Sequence, residues 1–256
     1  MTPGTTRTGR HVAADFDAAL RRIAGAVPSR VQLWLAVLQQ SGVRTMAEIG
    51  VFRGDFARSI LQGSPAIERY YLVDPWRHLP DWNKPANTSG EAFDDIRAEA
   101  LSAVVPFAGK CRELRGTTTE VIGRIPDGSL DAVYIDGDHT LRGVTIDLMC
   151  SLAKVRDGGW IGGDDFSPTI WQHPEGFEPT LVFPFAVHFA EAAGLPVYAL
   201  PHGQFLIHKQ PGSGFAFIDL TGRYGSTALL PQVAPRGEGD DRVRAALGPR
   251  RSLRGG

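Results

Sequence analysis

The sequence predicts an α/β fold: a Rossmann-like three-layer sandwich with a mostly parallel, seven-stranded sheet and a C-terminal antiparallel hairpin strand. From Arg44 onward, short apolar runs that end in an acidic residue or glycine alternate with longer amphipathic stretches. Strands that alternate with helices form parallel sheets through crossover connections. The last two apolar runs are separated by only two residues, which suits a hairpin. A chain of 256 residues with 43% hydrophobic and 21% charged residues is typical of one large globular domain.

The segment before the sheet is predicted to be helical. Residues 1–12 are polar and rich in Gly and Thr, which predicts a flexible N-terminus. In residues 13–43 apolar side chains recur at helix-like intervals, and Pro28 interrupts them. Because proline lacks the backbone N–H that a helix interior needs, we expect two helices on either side of Pro28.

The main domain is predicted to span residues 44–220. Its first five strand candidates, in chain order, are TMAEIG, YYLVD, CRELRG, LDAVYIDG and GGWIGG. The hairpin follows as LPVYALP and QFLIHK, with His202 and Gly203 between them, and GFAFIDL is a candidate for one more strand. Parallel strands present their binding loops at their carboxyl ends, so the polar residues that close each run are candidate site residues.

Residues 221–256 are predicted to form a disordered tail. Gly, Pro and Arg dominate this segment, and it shows little hydrophobic periodicity. Its basic residues include Arg242, Arg244, Arg250, Arg251 and Arg254. We therefore expect a locally basic tail.

Net charge and cysteine content exclude several functional classes. The chain has 27 Lys and Arg against 28 Asp and Glu, so no overall field favours nucleic acid or a membrane surface. Two cysteines, Cys111 and Cys150, cannot form a disulfide framework, which fits a reducing compartment. The sequence contains no apolar run of signal-peptide or membrane-span length, which predicts a cytoplasmic protein.

A glycine turn follows the first strand candidate. The residues of interest at this turn are Glu48, Gly50 and Gly54, and Asp74 is the acid that ends the next strand candidate. A dinucleotide site needs glycine at the position of Phe52, so NAD is disfavoured. S-adenosylmethionine presents an ammonium and a sulfonium, which a carboxylate such as Glu48 complements, and Asp74 is placed to accept both ribose hydroxyls. The alternative is that the glycines serve only a tight strand-to-helix turn.

Three carboxylates close the fourth and fifth strand candidates. Asp136 lies 28 residues before Asp164, the length of one helix crossover, and Asp165 follows directly. Adjacent parallel strands bring their carboxyl ends together, so these carboxylates should face one crevice. Converging carboxylates either raise their pKa values or bind a cation, and oxygen-only ligation favours magnesium or a similar divalent ion. The alternatives are a helix cap at Asp138 and an Asx turn at Asp165.

Together these motifs resemble the class I S-adenosylmethionine-dependent methyltransferases, over roughly residues 44–209. The acids after the fourth and fifth strands look like those of the metal-dependent small-molecule O-methyltransferases, including catechol and sugar methyltransferases. The resemblance implies cofactor contacts at Glu48, Gly50, Gly54, Asp74, Gly116 and Thr117, and metal ligands at Asp136, Asp164 and Asp165. It places the general base at His139 or Asp138. Gly116 and Thr117 would approach the adenine, but Thr117 with Glu120 also suits a helix cap.

The resemblance implies methyl transfer from S-adenosylmethionine to a hydroxyl of a small molecule, of sugar or natural-product type, with magnesium assistance. Residues 75–90 and 166–180 are aromatic, loop-like candidates for the walls of an acceptor pocket. Their candidate stacking residues are Trp76, Trp82, Trp171 and Phe177. One alternative is a metal-dependent glycosyltransferase that uses the D-x-D motif at residues 136–138, and another is a non-catalytic S-adenosylmethionine-binding module. We expect no nucleic acid or membrane partner, and a homo-oligomer is possible.

Overall fold

The computed structural model of the chain describes residues 7–174 and 176–225, with side chains from residue 16 onward. The strands are β1 (Thr45–Ile49), β2 (Arg69–Asp74), β3 (Cys111–Arg115), β4 (Leu130–Ile135), β5 (Val155–Gly163), β6 (Pro196–Leu200), β7 (Gln204–His208) and β8 (Ala216–Asp219). The α-helices are α1 (Arg7–Ala24), α2 (Arg30–Ser41), α3 (Asp55–Gly63), α4 (Gly90–Val104), α5 (Thr118–Val121), α6 (Leu141–Lys154) and α7 (Val182–Ala193).

The strands form one sheet in the order β3-β2-β1-β4-β5-β7-β6-β8. Strands β1 to β5 pair in parallel, which confirms the predicted crossover units. The predicted hairpin is also confirmed, because β6 and β7 pair antiparallel. It does not end the sheet, however: β7 lies between β5 and β6, and β8 adds an eighth strand parallel to β6 at the edge. The predicted count of seven strands is thus corrected to eight in the described residues.

Helices cover both faces of the sheet. Side chains of one strand alternate between two hydrophobic clusters, as Met46 and Ala47 of β1 and Tyr134 and Ile135 of β4 show. One cluster contains residues of α2, α3 and α4, and the other contains residues of α5, α6 and α7. Successive strand residues point to opposite faces, so this division confirms the three-layer arrangement.

The first N-terminal helix begins earlier than the sequence predicted. Helix α1 starts at Arg7, so residues 7–12, predicted to be flexible, are helical. Weak helix formers such as Gly9 reduce helix stability without forbidding the helix, and each added residue of an existing helix gains a hydrogen bond. The predicted break at Pro28 is confirmed, because α2 begins directly after Ser29, whose side chain accepts a hydrogen bond from the N–H of Gln32 at 3.3 Å.

The ordered chain also continues past the predicted boundary at residue 220. Tyr224 is buried, and its hydroxyl donates a hydrogen bond to the Phe166 carbonyl. The Asp219 carboxylate accepts hydrogen bonds from the N–H groups of Thr221 and Tyr224, which fixes this turn. The predicted start of disorder at residue 221 is therefore wrong, since residues 221–225 pack on the domain. The rest of the predicted basic tail lies outside the described residues.

No helix in the described part of the chain is both long and apolar enough to cross a membrane.

Candidate active site

A cavity of about 530 Å³ opens at the carboxyl ends of strands β1 to β5. Each of these strands contributes to its wall through the residues that follow or end it, namely Gly50, Asp74, Gly116, Asp136 and Asp165. The carboxyl edge of a parallel sheet is where α/β proteins bind their ligands, and the volume falls within the range of small-molecule sites. The sheet topology therefore brings most of the sequence-predicted residues to one cavity, although Gly54 and Asp164 do not line it.

The turn between β1 and α3 requires its glycines. Gly50 has a φ of 86°, and a side chain there would collide with the backbone carbonyl of Asp136 on the neighbouring strand. Gly54 has a φ of 77° and begins α3, but it does not line the cavity. Phe52, with a φ of 51°, is 44% exposed at the cavity wall. Gly50 thus allows a close approach of two strand ends, and Gly54 allows the backbone of Ala100 in α4 to come close to the start of α3.

Glu48 is buried in the cavity wall, and its carboxyl group is hydrogen-bonded to a tyrosine. The Tyr70 hydroxyl donates a hydrogen bond to the Glu48 carboxyl at 2.5 Å, and Glu48 is 1% exposed. Burial raises the pKa of Glu48 well above its ordinary value, although the hydrogen bond from Tyr70 acts against this shift. A cationic ligand group beside Glu48 would lower this pKa and favour the ionised carboxylate.

The Asp74 carboxylate is hydrogen-bonded to the backbone around the glycine turn. Its carboxylate accepts hydrogen bonds from the backbone N–H groups of Val51 and Phe52, each at 2.9 Å, and of Trp76 at 2.7 Å. A carboxylate offers about four acceptor positions, so three of them are occupied by the protein itself. One acceptor position is left, and the contact of Asp74 with the ribose hydroxyls stays a prediction. Asp74 lines the cavity and holds the glycine turn in shape.

Gly116 and Thr117 line the cavity, as predicted for cofactor contacts. Thr117 also begins α5 in a capping box, since its N–H donates to the Glu120 carboxylate at 2.8 Å. The two interpretations of this segment are thus compatible. Next to them, the Thr118 hydroxyl donates a hydrogen bond of 2.5 Å to the buried carboxyl of Asp147, and burial raises the pKa of that carboxyl to about 7.

The two candidate bases are arranged very differently. The imidazole of His139 contacts the Asp165 carboxylate through Nδ1, and its buried Nε2 has no hydrogen-bond partner among the described residues. Asp138 instead accepts a hydrogen bond at 2.9 Å from the N–H of Thr140, the residue that caps α6. Burial acts to lower the pKa of His139, but the hydrogen bond and charge of Asp165, with Asp136, raise it overall.

The three predicted metal ligands share two cationic partners, Arg30 and His139, and Asp136 lies near both, since His139 Nε2 is 3.5 Å from one of its oxygens. Arg30 of α2 forms an ion pair with Asp136 at 3.0 Å and a second with Asp164, while Asp165 is paired with His139. Burial and the Asp164 charge raise the pKa of Asp136 to about 7. Within residues 7–174 and 176–225, no three Asp, Glu, His or Cys side chains are grouped to hold a metal. The predicted magnesium ligation is therefore not confirmed, and in this arrangement a guanidinium and an imidazole pair with the three carboxylates.

The two predicted acceptor loops, residues 75–90 and 166–180, are joined over the cavity. The Lys84 ammonium donates hydrogen bonds to the carbonyls of Glu178 at 2.9 Å and Pro179 at 3.2 Å, and to the Thr180 hydroxyl at 3.3 Å. A second bond of 2.7 Å runs from the Asn83 amide to the Gly176 carbonyl. The loops therefore form one connected roof.

Of the four aromatic residues proposed to stack on an acceptor, only Trp82 lines the cavity in the described structure. Trp76 is fully buried and donates from its indole N–H to the Phe52 carbonyl at 2.9 Å, so it anchors its loop. His173, which the sequence did not assign to the site, lines the cavity as well.

Four other residues of the site were missed by sequence reasoning. Arg30, Lys84 and Asp147 line the cavity, and Gln204 of the hairpin donates a hydrogen bond to Asp164. A local signal existed only for Asp147, an acid in an otherwise apolar stretch of α6. The others reach the site through contacts far apart in sequence.

Residues 47–166 match a family model described as a methyltransferase domain. A search of curated proteins found no significant match. One similar crystal structure is that of cofactor-bound Rv0187 from MTB, with 15% identity and a TM-score of 0.53 over 82% of this chain and 93% of the other. A second is the O-methyltransferase from Bacillus cereus in complex with SAH, with 18% identity and a TM-score of 0.52 over 82% of this chain and 93% of the other. A third is the O-methyltransferase TomG from Streptomyces achromogenes in complex with SAM, with 14% identity and a TM-score of 0.50 over 80% of this chain and 100% of the other. At these identities the likeness is evidence for the fold.

Proposed function

From the premise that this chain carries a class I methyltransferase domain, we propose that it transfers a methyl group from S-adenosylmethionine to a hydroxyl of a small molecule. His139 is the general base in this proposal. The observation that carries it is the state of the imidazole, which belongs to a residue of the cavity wall: Nδ1 is paired with Asp165, while Nε2 lies 3.5 Å from an Asp136 oxygen and makes no hydrogen bond with the described residues. A general base needs a nitrogen that is not already hydrogen-bonded and that comes within hydrogen-bond reach of the acceptor hydroxyl in the substrate complex.

The cavity has a wall that fits the cofactor. Gly50 lets the turn after β1 approach the backbone of Asp136 closely at this wall, and Glu48 lines the same wall as an acid that a cationic group would ionise. Gly116 and Thr117 would hold the adenosine end. When bound, S-adenosylmethionine supplies an electrophilic methyl group on a sulfonium.

The residues of this chain provide proton transfer and orientation. The carboxylate of Asp165 fixes the tautomer with the proton on Nδ1, so that Nε2 of His139 could take the proton of the acceptor hydroxyl. The hydroxyl oxygen would gain the methyl group as the bond from that group to sulfur breaks, with S-adenosylhomocysteine as the leaving group. Asp165 then stabilises the imidazolium that results. The roof made by Lys84 and the two loops limits the size of the acceptor, which favours a sugar or natural product over a macromolecule.

Magnesium takes no step in this proposal, because Arg30 lies between Asp136 and Asp164 where the ion was expected. The glycosyltransferase alternative relied on a D-x-D pair of carboxylates. That alternative finds less support, since Asp138 is bonded to the backbone of Thr140.

The proposal is tested by isotope transfer. The purified protein should bind S-adenosylhomocysteine in a calorimeter and should transfer a labelled methyl group from S-adenosylmethionine to members of a panel of sugar and polyketide alcohols. The products should be O-methyl ethers by NMR. Methylation at nitrogen or carbon would contradict the hydroxyl acceptor. Binding without turnover over the whole panel would favour the non-catalytic module.

A further inference from the structure

The acceptor side of the cavity contains a cation that belongs to the chain itself. Arg30 is the first residue of α2, and its Nη1 lies 3.0 Å from an Asp136 oxygen and in hydrogen-bond contact with an Asp164 oxygen. Its guanidinium carbon also lies 5.4 Å from the centre of the Phe56 ring. A guanidinium that bridges two carboxylates and packs on an aromatic ring is held in one position.

Helix α2, which carries Arg30, is also linked to the Asp164 carboxylate through Gln204. Trp34, one turn further along α2, donates from its indole N–H to the Gln204 side-chain oxygen at 2.7 Å. The amide nitrogen of Gln204 in turn donates to Asp164 at 2.5 Å. The Tyr134 hydroxyl donates to the same Gln204 oxygen at 3.0 Å, so the buried amide is fully bonded. Helix and carboxylate are therefore aligned by one network.

The oxygens of these carboxylates have little capacity left for a metal. Asp164 Oδ1 accepts from Gln204 at 2.5 Å and from the N–H of Asp165 at 2.8 Å, and Oδ2 accepts from Arg30. One oxygen of Asp165 is taken by His139. Magnesium demands near-octahedral oxygen ligation, which this arrangement does not offer.

We infer that Arg30 is the resident cation of the acceptor site, and that it neutralises the Asp136 and Asp164 pair in place of a divalent ion. Arginine stays protonated at every accessible pH, so it provides a permanent positive charge without Lewis-acid chemistry. The inference rests on the proposed function for the identity of the acceptor site. Under it, the hydroxyl proton goes to His139 with no help from a metal.

The test measures metal binding, using Mn²⁺ as the probe and the EPR signal of free Mn²⁺ as the readout. The full chain, without cofactor or acceptor, is titrated as wild type, Arg30→Gln and Arg30→Lys. We expect Arg30→Gln to bind Mn²⁺ at least about tenfold more tightly than wild type, because two adjacent carboxylates lose their counter-charge. Arg30→Lys keeps the charge and should behave like wild type.

Two controls locate the effect. Arg156→Gln removes the ion-pair partner of Asp131, which lies 2.7 Å away near the start of β4, and should leave Mn²⁺ affinity unchanged. Adding Asp164→Asn to Arg30→Gln should abolish the gained binding. Thermal unfolding and circular dichroism establish that each variant is folded; if Arg30→Gln is not, Arg30→Met replaces it.

Equal or weaker Mn²⁺ affinity in Arg30→Gln than in wild type would overturn the inference. So would one tight Mn²⁺ site in the wild-type protein, since the ion would then displace the arginine. Neither readout needs methyl transfer, so failure of this inference is distinguishable from failure of the proposed function. Once an acceptor is known, we also expect the wild-type protein to keep its full rate of methyl transfer in EDTA.

Discussion

At the scale of single residues, His139 and its partner Asp165 determine the proposed chemistry. Replacing His139 by alanine removes the only nitrogen placed to accept the acceptor proton in the proposed mechanism. We expect kcat to fall by roughly 10² to 10⁴ while S-adenosylhomocysteine affinity measured by calorimetry stays nearly unchanged. His188→Ala, at an exposed position of α7, is the control and should retain wild-type rates. A normal rate for His139→Ala would assign proton removal elsewhere.

The same pair predicts a pH dependence with a definite sign. The base acts when neutral, so the rate rises as pH increases through the pKa of His139, which Asp165 and Asp136 raise above the ordinary value of about 6.5. Asp165→Asn removes one of these charges. Its rising limb in the pH-rate profile should therefore move to lower pH, with a lower maximal rate. An unshifted limb would mean that His139 is not the titrating group.

At the scale of elements, Lys84 joins the two loops above the cavity. Its ammonium bonds to three oxygens of residues 178–180, and burial lowers its pKa. Lys84→Met leaves those oxygens unpaired, so we expect a loss of about 1–3 kcal/mol of unfolding free energy and faster protease cleavage within residues 166–180. Denaturant titration and limited proteolysis measure both.

The matched control for the roof is Lys110→Met. Lys110 also donates its ammonium to a backbone carbonyl, that of Pro65 at 2.9 Å, but it does so on the exposed surface. Lys110→Met should therefore leave both the free energy of unfolding and the rate of protease cleavage nearly unchanged. A Lys84 variant that is as resistant as this control would show that the loops stay together without the lysine.

At the scale of the whole molecule, buried acids in the site reduce stability at neutral pH. Asp147 has a folded pKa of about 7, against about 3.9 for an unfolded chain. Between these values the folded state binds the extra proton, so stability falls as pH rises through this window, and the full penalty is present above it. Asp147→Asn keeps an acceptor for the Thr118 hydroxyl without the charge.

We therefore expect Asp147→Asn to be more stable than wild type at pH 8, by on the order of 2 kcal/mol, with the difference shrinking toward pH 5. Differential scanning calorimetry at the two pH values measures it. Asp157 is an exposed acid, so Asp157→Asn serves as the control for a change of charge alone. A stabilisation that is equal at both pH values would exclude a titrating Asp147.

Much of the fold followed from local sequence. Alternating apolar runs and amphipathic stretches predicted β1 to β7, since strand and helix periodicities are properties of neighbouring residues. The pairing of the final hairpin followed from its two-residue connection. Its place in the sheet did not, because insertion of β7 between β5 and β6 depends on contacts between strands far apart in the chain.

The site divides in the same way. The sequence by itself determined which residues reach the cavity from the strand ends, because parallel strands place their carboxyl ends along one edge. Only the tertiary structure decided their partners: Asp74 binds the backbone of its neighbouring turn, Asp165 binds His139, and Arg30 enters between Asp136 and Asp164 from a helix more than 100 residues away. The chemistry of a carboxylate is set by the nearest charges and donors in space, and those are fixed only when distant segments pack together.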